Sequence, residues 1–242
     1  LIGMFFNLFA PGTVGGDVSR VYYLARDGEL GSPHGWARST LPAAVSVFMD
    51  RAVGMVVLVW LGAIGLALSP GYGVPQIVLY VTYALALAFV VAGLCVPLLR
   101  RVLPDDGHPF VVKMRLALRS YRSHWQVIPQ AMILSLVIHL IQAWVHLILG
   151  RAIQIDIPFS YCLILYPLVG TFAAIPISLN GIGLREGGYL VLLGVIGVNS
   201  TQGVAFGLLL FSVVVLDSLL GGLVFLLKKG PRPSAEAPAN LI

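Results

Sequence analysis

Apolar residues in this chain come in long unbroken blocks, and polar ones collect between them. Residues 74–99, 125–150, 157–184 and 187–216 contain no Asp, Glu, Lys or Arg, and residues 52–68 form a shorter block of the same kind. A helix that crosses a bilayer needs about 20 apolar residues, so the long blocks read as membrane helices. The pattern predicts a half-length apolar segment over 1–10, a Gly-rich break at 11–16, a helix over 17–27 and a polar loop at 28–35. A long helix follows over 36–68, then a turn at 69–74, a span over 75–99, a basic loop at 100–124 and a span over 125–150. After a connector at 151–158 come an apolar helix to residue 175, a second break at 176–183, a short helix over 184–197 and a last span over 203–227. The expected fold is all-α: a polytopic transmembrane helical bundle.

Composition removes the soluble alternatives. The 242 residues are 58% hydrophobic and only 10% charged, against about 25% charged in soluble domains. The net charge of +5 does not point to nucleic acid, because the basic residues sit between apolar blocks, where they meet lipid headgroups and set orientation. Arg100, Arg101, Lys113, Arg115, Arg119 and Arg122 occupy the basic loop, and Lys228, Lys229 and Arg232 follow the last span. The turns at 69–74 and 198–202 carry no charge. The positive-inside rule then places the basic loop and the C-terminus in the cytoplasm, and the membrane is read as the cytoplasmic one. Within the loop, Phe110, Val111, Met114, Leu118 and Tyr121 recur at helical spacing, which predicts an amphipathic helix lying on the inner leaflet or solvated beside it. Cys95 and Cys162 both fall in apolar blocks and read as core thiols. The half-length start implies further helices upstream, and the Pro/Ala-rich residues 230–242 are expected to be a disordered cytoplasmic tail.

The two breaks share a pattern. Pro11-Gly-Thr13-Val-Gly15-Gly16-Asp-Val-Ser-Arg20 and Pro176-Ile-Ser178-Leu-Asn180-Gly181-Ile-Gly-Leu-Arg185 both fit P-x-[ST]-x-[GN]-G-x-x-x-R without a gap. Farther on, Asp50-x-x-x-Gly54 has a counterpart in Asp217-x-x-x-Gly221, slipped by two residues. The predicted topology gives the two units opposite orientation, so they read as interrupted, re-entrant segments related as an inverted repeat, a design in which the interruptions point at a binding site. A broken helix cannot leave its backbone groups in lipid, so each break must be covered by protein or line a wet cavity. The helix that follows presents free N–H groups and a positive dipole end. Arg20 and Arg185 in the first turn or so complete a cradle for a phosphate or another anion. The plainer alternative is that each Arg snorkels to an interface, or pairs with Asp17 and Glu186 respectively.

Other charges need partners. Asp217 lies 10 residues before Leu227, about 15 Å along a helix, where a charge costs at least about 2.5–3.5 kcal/mol. It reads either as a cavity residue or as one half of a structural ion pair, to Arg185 or Arg20. Asp50 and Arg51 sit nearer the inner boundary, where they could instead form an interfacial pair. His139, Gln142 and His146 share a helix face and are expected to point into the bundle; seven residues of helix separate the two His too widely for one metal, and no metal or other cofactor is expected. Neither is an enzyme, since no catalytic constellation is found.

At this point the residues themselves resemble a family. Phe5-Phe6-Asn7-Leu8-Phe9-Ala10-Pro11-Gly12-Thr13-Val14-Gly15-Gly16-Asp17, Met49-Asp50-Arg51, and Pro176 through Arg185-Glu186-Gly187 are similar to the transmembrane region of lysylphosphatidylglycerol synthases and its stand-alone, flippase-like relatives. The resemblance implies a flippase-like domain over residues 1–229 with a lipid-accessible cavity; in the synthases this region is associated with moving an aminoacylated phospholipid between leaflets. These residues hold no counterpart of the cytosolic aminoacyl-transferase domain, so synthase activity is not carried over, and Asp217 stands where many relatives would have a basic residue. The expected function is translocation of a phospholipid or lipid-linked anion. Arg20 and Arg185 would hold the headgroup phosphate; Asp17, Asp50 and Glu186 would balance charge or meet a cationic group; and Asn7, Asn180, Arg51 and Asp217 complete the expected cavity. The alternative is a membrane scaffold or accessory subunit for a lipid-modifying or glycosyl-transfer enzyme. The expected partners are membrane lipids with anionic headgroups, together with a second copy of the chain or a lipid enzyme.

Overall fold

The computed structural model describes residues 2–9, 14–27, 36–102, 126–174 and 183–227. The expected amphipathic helix, Pro11 and Thr13, residues 176–182 with Asn180, and the C-terminal tail lie outside the described residues. Those described form eight helices and their turns, with no strand: α1 (Ile2–Phe9), α2 (Val14–Asp27), α3 (Trp36–Leu68), α4 (Gln76–Val102), α5 (Val127–Ala152), α6 (Phe159–Ala173), α7 (Leu184–Val195) and α8 (Ser200–Leu227). Four of them are long and apolar enough to cross a membrane, over Ala43–Leu68, Gln76–Cys95, Val127–Ala152 and Ser200–Leu227. The protein is thus a multi-pass helical membrane protein. Its outer surface carries Ile133, Leu134, Ile141, Trp144, Leu216 and Leu220 exposed, the side chains that lipid tails would cover.

The short helices hold the inner positions. At about 1.5 Å per residue, α6 with 15 residues and α7 with 12 residues fall short of a hydrocarbon core about 30 Å thick. Helix α6 is apolar all round and is buried accordingly: Tyr161, Cys162, Ile164, Leu165, Leu168 and Val169 form the centre of the main core with Tyr189, Leu192 and Leu193 of α7 and Phe206 of α8. It runs antiparallel to α3, with Gly170 facing Leu58, Gly62 facing Pro167 and Gly65 facing Leu163. It is antiparallel to α7 as well, since Gly188 meets Val169 near one end and Tyr161 donates to the Leu192 carbonyl at 2.5 Å near the other. The open end of this hairpin lies beside the turn after α3, where Tyr72 packs edge-on against Tyr161 and its hydroxyl is 3.1 Å from that of Ser160.

Helices α1 and α2 pair in the opposite sense. Asp17 of α2 reaches Arg51 of α3, and Arg20 reaches Asp50, so α2 runs toward the start of α3, the end away from Tyr72. Helix α8 serves both hairpins. Gly203 and Gly207 admit Leu190 and Glu186 of α7, and Gly222 admits Phe5 of α1, the close approach of small residues by which helices associate where lipid is as apolar as any side chain.

Two expectations change. Helix α2 begins at Val14, so Gly15 and Gly16 belong to its first turn and not to the break. Gly16 is needed for space: a Cβ there would overlap the Gly3 carbonyl and the Asn7 amide. Cys162 is buried as expected, but Cys95 is exposed, because α4 packs along α3 and leaves its other faces outward.

The close packing of α3 on α6 can be tested at Gly65, where a Cβ would come within 2.9 Å of the Leu163 carbonyl oxygen. Gly65→Ala should destabilise the detergent-solubilised protein by about 1–3 kcal/mol. Gly93→Ala, with nothing within 4 Å of the added atom, should leave stability unchanged or raise it by about 0.5–1 kcal/mol. Paired thermal unfolding curves measure both.

Candidate functional site

The charges expected at the site divide into two groups. The first joins α1, α2 and α3. Asn7 uses its side-chain oxygen to accept the Gly16 backbone N–H at 2.6 Å, one of the N–H groups that a first helical turn leaves without an intrahelical partner. At the next residue, Asp17 Oδ1 accepts two hydrogen bonds from Arg51, from Nε at 3.0 Å and Nη2 at 2.9 Å. Arg20 lies 3.7 Å from Asp50, and both side chains are largely open, at 46% and 70% exposure. Neither expected pairing within a helix forms: Arg20 does not pair with Asp17, nor Asp50 with Arg51. Asp17 and Arg20 sit three apart on one face of α2, and each takes its partner from α3.

Arg20 and Asp50 line a cavity of about 680 Å³ between α1, α2, α3 and α8, with Ser19, Tyr23 and Ser46 beside them and Met4, Leu24 and Val224 as apolar wall. The sequence reading missed Ser19, Tyr23 and Ser46. A face reading around each charge would have found Ser46, four residues before Asp50, and Tyr23, three after Arg20.

The second group opens α7. Gly183 has φ +87°, a conformation open chiefly to glycine, and its N–H is accepted by the Glu186 carboxylate at 2.6 Å. Glu186 therefore closes the helix start and does not pair with Arg185. Arg185 is half-buried, forms no ion pair with any described residue, and lies within electrostatic reach of His146, Tyr166 and Tyr189.

Behind Arg185 stands a neutral network. A backbone carbonyl can only accept, so His146 Nδ1 donates to Gln142 O at 2.7 Å, and Nε2 is left to accept from the Tyr189 hydroxyl at 2.7 Å. In the same way His139 Nε2 donates to Gly54 O at 3.0 Å and Nδ1 accepts from Tyr166 at 2.9 Å. Both His point into the bundle as expected. The Gln142 side chain is exposed instead, because the buried face of α5 follows Ala143, His146 and Gly150.

The structure does not bring Arg20 and Arg185 into one cradle. Glu186, next to Arg185, packs on Gly207 of α8, whereas Val224 of α8 lines the Arg20 cavity. Seventeen residues of helix separate these points, about 25 Å. Asp217 lies between them on α8, half-buried and without an ion pair to any described residue, which leaves no described pair with Arg185 or Arg20.

This arrangement of short hairpins, an Asn-braced glycine and an Asp-Arg pair rests on the residues that carried the resemblance, and the family profile described as lysylphosphatidylglycerol synthase TM region matches residues 1–224. The chain belongs to this family. No curated protein and no solved structure matches the chain. Membership fixes the setting as a membrane domain of that family, and the Asn7, Gly16 and Asp17 contacts give a physical reason for the block that carries it.

The two ion pairs should differ in strength. A double-mutant cycle on unfolding with Asp17→Asn and Arg51→Gln should return a coupling of about 1 kcal/mol, and the same cycle on Arg20 and Asp50 should return close to zero.

Proposed function

We propose that this chain is a lipid translocase of the cytoplasmic membrane, moving a phospholipid or lipid-linked anion between leaflets. The observation that carries the proposal is the pair of cationic stations, Arg20 in its cavity and half-buried Arg185, one in each of two short hairpins that pack on different stretches of α8. A headgroup phosphate would be held by each Arg in turn, with the Asp217 carboxylate between them. Arg is suited to this, since its planar guanidinium makes paired hydrogen bonds to phosphate oxygens.

The hairpins support the same reading. The α6–α7 pair opens toward the Tyr72 end of the bundle and the α1–α2 pair toward the other, the relation expected of an inverted repeat with re-entrant segments. With the positive-inside orientation, Arg20 serves the cytoplasmic leaflet and Arg185 the outer one. The chemistry asked of these residues is binding and release, with no bond made or broken, so the proposal is of a transporter and not of an enzyme.

Purified protein in liposomes, with acyl-labelled lipid and an impermeant quencher, tests this. The native chain should speed leaflet exchange, and Arg20→Gln and Arg185→Gln should each return it to the protein-free rate with insertion and thermal stability retained. Native rates in both variants would overturn the proposal.

A further inference from the structure

The Arg20 cavity is lined by both signs of charge, and this limits what can bind there. The Arg20 guanidinium and the Asp50 carboxylate face each other at 3.7 Å, beyond hydrogen-bonding distance, while the neighbouring Arg51 and Asp17 engage at 2.9 Å. The four side chains sum to zero charge. A ligand that is only anionic gains Arg20 but meets Asp50, and a cation meets the reverse. A ligand carrying both charges close together can enter between them and satisfy both.

We infer that the cavity takes a compact zwitterionic headgroup, a phosphodiester with a primary ammonium two carbons away, as in phosphoethanolamine lipids. This rests on the headgroup-binding reading above and names its substrate class. The phosphate goes to Arg20 and the ammonium to Asp50. The two-carbon spacing follows from how near the two protein charges lie, and an amine carried farther out on an aminoacyl ester would overreach Asp50. The hydroxyls favour a primary amine. Ser19 gives its proton to the Gly16 carbonyl at 2.7 Å, so it offers a ligand only lone pairs, which an N–H of an ammonium can use and a trimethylammonium cannot. Ser46 lies one turn from Asp50 on the same wall. Met4, Leu24 and Val224 are exposed apolar residues of the same cavity and suit the first carbons of the acyl chains.

The experiment is calorimetric titration of the full chain in detergent with short-chain phosphatidylethanolamine, phosphatidylglycerol and phosphatidylcholine, and with water-soluble phosphoethanolamine. The ethanolamine lipid should bind up to about fivefold more tightly than the other two, the factor that a partly exposed charge pair supports. Asp50→Asn should erase the preference over phosphatidylglycerol while the protein still unfolds at its native temperature; Ser46→Ala should reduce it in part. Equal or tighter binding of phosphatidylglycerol overturns the inference, as does a preference that survives Asp50→Asn. So does phosphoethanolamine binding as tightly as the lipid, which would make the ligand a free solute. Selective binding without leaflet exchange would uphold this inference and remove the translocase reading. Exchange without headgroup preference would do the opposite.

Discussion

In hydrocarbon a backbone N–H or C=O has no water to turn to, and each unsatisfied group costs several kcal/mol. A helix that stops part-way across the bilayer must therefore end inside protein. Helices α6 and α7 are too short to cross, and much of the bundle follows from covering them. The long helices α3, α5 and α8 surround the pair, glycines on α3 and α8 let it approach closely, and α6 becomes the most buried helix described. Both ends of α7 are closed locally. Glu186 takes the Gly183 N–H, while beyond α7 the Gly197 and Val198 N–H groups bond back to the Gly194 and Leu193 carbonyls, with Gly197 at φ +83°.

The two hairpins meet this constraint by different physics. The α6–α7 pair is fixed by apolar burial and by neutral hydrogen bonds from His139, His146, Tyr161, Tyr166 and Tyr189. In a low dielectric such bonds are strong and carry no charge to desolvate. The α1–α2 pair has Gly16 as its only buried residue among those described, and it is tied to α3 by ion pairs that remain partly open. Partly exposed ion pairs are individually weak. The two hairpins are thus held to α8 and α3 by different forces, apolar burial with neutral hydrogen bonds in one and partly exposed ion pairs in the other.

Much of this was legible in the sequence because bilayer thickness and helical rise set element lengths. The long helix from Trp36 to Leu68 and the short one from Leu184 follow from apolar block length and from the glycines that end it. The role of Gly16 was not legible: a glycine in a break and a glycine in a close helix crossing look alike until Gly3 and Asn7 are seen against it. The charge partners were also hidden. Asp17 and Arg20 suggested a local pair, yet both partners come from α3, which no helical periodicity can reveal. Nor could the sequence show that the hairpins carrying Arg20 and Arg185, matched in their motifs, pack on different stretches of α8.

The central claim is that the α6–α7 hairpin enters and leaves the membrane on one side. Spin labels placed singly at Leu184 and Val195, in protein with Cys95 and Cys162 replaced and reconstituted in lipid, measure this through their accessibility to oxygen and to an aqueous relaxant. The account predicts that residue 184 lies near mid-bilayer, and that residue 195 lies in the headgroup region on the side of the Tyr72 turn. Labels at opposite headgroup regions, with α7 stretched across the bilayer, would contradict it.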